Sequence, residues 1–64
     1  MKIIREDNFG DENRSDMLVC ENVNEYYGRF MVDFLIKQFS GSNSPDYFRL
    51  VKDDYVLYDA SVVY

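Results

Sequence analysis

A single segment of helical period, signposted at both ends, runs from Asn22 to Phe39, and it constrains this 64-residue chain more than any other feature. Asn22 or Asn24 is placed to act as N-cap, and Glu25 follows Asn22 by three residues in a capping-box arrangement. Ser40-Gly41, followed by Asn43-Ser44-Pro45, stops the helix. With about 100° per residue, Glu25, Arg29, Asp33 and Lys37 fall in one row of alternating sign, which reads as the solvated face. Tyr27, Phe30, Met31, Phe34 and Leu35 form the opposite stripe, expected to cover a sheet. Val32, Ile36 and Phe39, flanked by Gly28, widen the apolar arc to roughly twice what a core-facing helix needs. That surplus predicts a homodimer interface on the flank of Val32, Ile36 and Phe39.

The rest of the chain reads as short strands and loops. Ile3-Ile4, between charged neighbours, marks a strand over Lys2 to Glu6, and Met17-Leu18-Val19-Cys20 marks a second that pairs with it. Asp7 to Asp16 (DNFGDENRSD) is a loop in which Phe9 alone can anchor to the core. Tyr47 to Lys52 and Tyr55 to Tyr58 read as a hairpin about Asp53-Asp54, and Val62-Val63-Tyr64 as a last strand or a packed tail. The expected fold is one α+β domain over residues 1–64, ββαββ, with one helix across a small antiparallel sheet of three to four strands.

A chain of this size buries only about 60% of the surface its unfolded form exposes, so its stability is marginal. Six Tyr and five Phe supply large buried areas that offset the small core. The lone Cys20 can form no internal bridge, no stretch has the length of a signal peptide or a membrane span, and a cytoplasmic protein is expected. The 12 acidic and 7 basic residues leave a net charge of -5, which disfavours direct nucleic-acid binding and suits a partner with a basic surface.

Catalysis finds little to work with. The commonest general base is absent because there is no His, and Cys20 lies in an apolar strand where it reads as a small core residue. Asp53-Asp54 reads as a solvated turn. Gly10 precedes Asp11 and Glu12, so the loop does not match the calcium-loop spacing, and no cofactor or metal is expected. The candidate partner-binding residues are the loop carboxylates Asp7, Asp11, Glu12 and Asp16, which can steer a basic surface, and Tyr47, Tyr55 and Tyr58, because Tyr is enriched at binding hot spots.

The runs Glu6-Asp7-Asn8-Phe9, Val19-Cys20-Glu21-Asn22 and, above all, Tyr47 to Tyr58 (YFRLVKDDYVLY) resemble a group of very short bacteriophage and prophage proteins of unknown role. The resemblance covers most of the chain, with Lys52 standing where the group more usually has Pro before the paired Asp. It implies a mobile-element origin and transfers no catalytic residue. Small acidic phage proteins often act by occupying a surface of a host protein, and inhibitors of CRISPR nucleases are frequent among them. The resulting expectation is a non-catalytic inhibitor or modulator of a bacterial host protein, acting by steric block, with an anti-CRISPR role inside that class. The alternatives are a self-assembling structural or accessory protein and a nucleic-acid mimic, the latter weakened by the basic residues interleaved with the acidic ones.

Overall fold

The computed structural model describes residues 1–41 and 43–61. Its elements are β1 (Lys2–Asp7), β2 (Met17–Cys20), α1 (Glu25–Phe39) and β3 (Asp46–Val51), and the three strands form one antiparallel sheet in the order β2-β1-β3. The fold is α+β. The β-branched pair Ile3-Ile4 places β1 at the centre, and both side chains are fully buried. Residues opposite each other in an antiparallel pair share a face. Ile3 therefore sides with Cys20 and Leu50, and Ile4 with Leu18 and Arg49. Pairing passes from Ile3↔Cys20 to Ile4↔Leu18, so Val19 is an extra residue in β2, a β-bulge.

Asn24 is the N-cap: its side-chain oxygen accepts from the backbone N–H groups of Tyr26 (2.8 Å) and Tyr27 (3.3 Å). Asn22, at φ 58°, turns the chain from β2 into the helix, a left-handed position that Asn tolerates. The backbones of Met1 and Val23 fix this entry, since the Val23 N–H donates to Met1 O and the Met1 amino group to Val23 O, each at 2.8 Å. At the far end the Ser40 hydroxyl donates to Asp46 O at 2.6 Å and ties the helix exit to the start of β3.

The helix packs on the sheet through a different face from the expected one. Tyr27, Phe30, Met31 and Phe34 are exposed, whereas Gly28 is buried and Val32, Leu35 and Ile36 are half-buried. Gly28 explains the rotation, because the absent side chain lets α1 approach Val23 and Leu50 more closely than a Cβ would allow. Val32 and Ile36 follow Gly28 at helical spacing on the flank turned to the sheet. Phe39, at the end of the same flank, packs on Phe48 of β3 with ring centroids 6.2 Å apart. Of the residues assigned from sequence to a dimer interface, Val32 and Ile36 are half-buried on the side of the chain's own sheet, while Phe39 remains 56% exposed.

Residues 55–58 are not a strand. The Tyr55 N–H donates to Lys52 O at 3.0 Å, closing a tight turn over Asp53-Asp54, and the chain then leaves the sheet edge. It crosses the sheet face opposite the helix. There the Tyr55 carbonyl accepts from Lys2 Nζ at 3.3 Å and the Tyr55 hydroxyl accepts from Arg49 Nη2 at 2.8 Å, on either side of Ile4. Without Gly the turn lacks the backbone freedom that the hairpin type requires. The segment finds its partners in Ser15 and Asp16 instead, so the described architecture is ββαβ. The segment Val62 to Tyr64, expected as a last strand or a packed tail, lies outside the described residues. Phe9, expected to anchor the 7–16 loop, is 60% exposed. Arg14 does the anchoring, pairing with Asp7 at 3.3 Å and with Asp46 at the head of β3.

Candidate functional site

The 7–16 loop and the 55–60 crossing meet in a groove of about 360 Å³ lined by Glu6, Asp7, Gly10, Asp11, Glu12, Arg14, Asp16, Tyr55 and Tyr58. Six of the seven partner-binding residues expected from sequence line it. Tyr47, 39% exposed, stands on β3 opposite Glu6 and shares a sheet face with this groove wall without lining the groove itself.

The carboxylates in the groove do different work. Asp7 Oδ2 accepts from the backbone N–H groups of Asp11 (2.7 Å) and Phe9 (2.9 Å) while Oδ1 faces Arg14, so this side chain folds the loop around itself. The backbone N–H of Asp11, then that of Phe9 and the Arg14 guanidinium, hold the Asp7 carboxyl below its usual range, against a partial loss of hydration. Asp16 Oδ2 accepts from the Tyr58 N–H at 2.8 Å and the Tyr55 hydroxyl at 3.3 Å, and the Asp16 N–H donates to Tyr58 O at 2.9 Å. The Tyr58 hydroxyl closes the frame by donating to Glu12 O. Asp7 and Asp16 build the groove. Asp11 and Glu12 are exposed on its rim, where their charge is available to a ligand. The Tyr55 ring already carries a cation, the Arg49 guanidinium, 5.1 Å from its centroid.

A second surface escaped the sequence reading. A groove of about 440 Å³ lies between β2 and α1, lined by Val19, Cys20, Phe30, Met31, Phe34 and Leu35. The interior Gly28 was the signal for it, since the side of closest backbone approach must be the packed side. The charged row stands where expected, exposed and paired within itself, Glu25 to Arg29 at 3.2 Å and Asp33 to Lys37 at 2.9 Å.

Among the described residues no three His, Cys, Asp or Glu side chains are grouped to hold a metal ion, and no helix is long and apolar enough to cross a membrane. No family model, curated protein or solved structure matches the chain.

Proposed function

We propose that the protein is a non-catalytic binder of the bacteriophage type, which occupies a basic surface of a host protein in the bacterial cytoplasm and blocks it sterically. The observation that carries this reading is the groove itself. Two segments far apart in sequence are bonded together so that Asp11 and Glu12 line the same groove as Tyr55 and Tyr58. Arg49 occupies the Tyr55 ring, and Tyr58 with the rim carboxylates suits a partner's Arg, whose guanidinium stacks on an aromatic face and pairs with a carboxylate. The net charge of -5 steers the encounter toward a basic partner and away from nucleic acid. RNA-guided nucleases hold their heteroduplex in a positively charged channel, which brings an anti-CRISPR role within this class of partner. With no His in the chain, a binding role asks less of these residues than a catalytic one.

Affinity capture from bacterial lysate, with the parent chain and with an Asp11→Asn, Glu12→Gln variant as baits at low and high salt, tests the proposal. A basic host protein retained by the parent at low salt, and lost with the variant or with added salt, is the expected result. Equal retention by the variant removes the groove from the interface.

The self-assembly reading is favoured by a separate observation, the apolar face of α1, and it is compatible with a partner in the acidic groove.

A further inference from the structure

The chain leaves bare an apolar face that its own sheet cannot cover. The main packing of α1 is on β3, whereas β2 stands at the opposite edge of the sheet, so the groove between β2 and α1 stays open. Along its helix wall runs a ridge in which Tyr27, Phe30 and Phe34 are 66%, 62% and 59% exposed. Tyr26 stacks edge-on against Tyr27 and Phe30, with centroids 5.2 and 5.3 Å away, which stiffens the ridge. With roughly 200 Å² for a whole aromatic side chain, the exposed fractions of the ridge, Met31 and Val19 offer about 500 Å² per copy. This is the upper end of what a monomer leaves bare. Two such faces, fully covered, bury about 1,000 Å² in total, the area a specific interface has to reach.

We infer that a second copy of this chain covers this face, the Phe30 and Phe34 ridge of each protomer filling the groove between β2 and α1 of the other about a two-fold axis. Ridge and groove lie side by side on one surface, which is what a self-complementary, isologous interface requires. Charge favours the same occupant. No charged side chain lines the groove, and the nearest helical charges are already paired as Glu25 with Arg29 and Asp33 with Lys37. The acidic groove involves the 55–60 crossing, on the sheet face away from the helix, so the unpaired carboxylates of two copies stay apart. This dimer uses a surface separate from the partner groove, and the Asp11→Asn, Glu12→Gln variant should dimerise as the parent does.

Sedimentation of the full chain from low to hundreds of micromolar tests the assignment, together with the reaction of the Cys20 thiol with an aromatic disulfide reagent. The parent is expected to reach twice the monomer mass, and Cys20 to react several-fold more slowly as the dimer forms, because it lines the filled groove. Phe30→Glu and Phe34→Glu, both at exposed positions, should stay monomeric with the parent's circular dichroism. A parent that remains monomeric throughout overturns the inference. So does a folded Phe34→Glu variant that still dimerises, or a Cys20 reaction rate that dimerisation leaves unchanged; the thiol measurement needs no substitution and holds even if a variant misfolds.

Discussion

A Cβ built on Gly28 would stand 2.9 Å from Leu50 Cδ1 and 2.8 Å from Val23 Cγ1, so helix and sheet approach each other here as closely as a glycine permits. Gly28→Ala sets two effects against each other. The helix gains up to about 1 kcal/mol of propensity, while overpacking costs about 1 to 3 kcal/mol. The net expectation is a loss of about 1 kcal/mol, read from the urea midpoint. A stabilised Gly28→Ala variant would show that α1 does not rest on β3 through this face.

Asn24→Ala removes the acceptor for the Tyr26 and Tyr27 N–H groups and should cost about 1 kcal/mol. Asn24→Asp keeps the acceptor and should hold the parent's stability within a few tenths of a kcal/mol. Chemical denaturation followed by far-UV circular dichroism compares the two.

Asp16→Ala should release the 55–60 crossing, which Asp16 Oδ2 holds through the Tyr58 N–H and the Tyr55 hydroxyl. A loss of about 1 to 2 kcal/mol is expected, and amide exchange at Tyr58 and Ala60 should accelerate more than at Ile3 or Ile4. Uniform acceleration across the chain would mean that the crossing opens only when the whole fold does.

Asp7 gives the acid limb of the stability curve a definite sign. Its folded-state pKa lies below the ordinary 3.8, so its contribution is complete above that pH and is lost as pH falls through the lower folded-state value. Asp7→Asn should be less stable than the parent at neutral pH, and the two curves should converge on acidification below pH 3.8. Thermal melts at a series of acidic pH values make the comparison, and parallel curves would show that the carboxylate charge adds nothing.

The parts of this fold that are local in sequence could be read from it. Asn24 and Glu25 open the helix, Phe39 and Ser40 close it, and Ile3-Ile4 builds the central strand, because capping geometry and β-branched pairs act over a few residues. The facing of the helix could not be read in the same way. Aromatic bulk pointed to Tyr27, Phe30 and Phe34 as the core stripe, but the depth of contact is decided by Gly28 meeting Leu50, a residue in another element. The fourth strand failed for a related reason, since the carboxylate of Asp16 binds the Tyr58 N–H that a ladder would have used. The acidic loop and the tyrosines were each visible in composition. Their meeting in one groove follows from those same Asp16 bonds, which no local pattern encodes.

The bulge at Val19 bears on a hazard of a different kind. β2 is an outer strand with Met17, Leu18 and Val19 substantially exposed, and a flat apolar edge of that sort would template the addition of strand after strand. The extra residue breaks the two-residue alternation in the middle of the segment, so an incoming chain cannot keep its backbone bonds and its side-chain facing together across β2. Growth into a fibre is thereby discouraged at the β2 edge, whose apolar side chains stay at the surface without a regular backbone template beneath them.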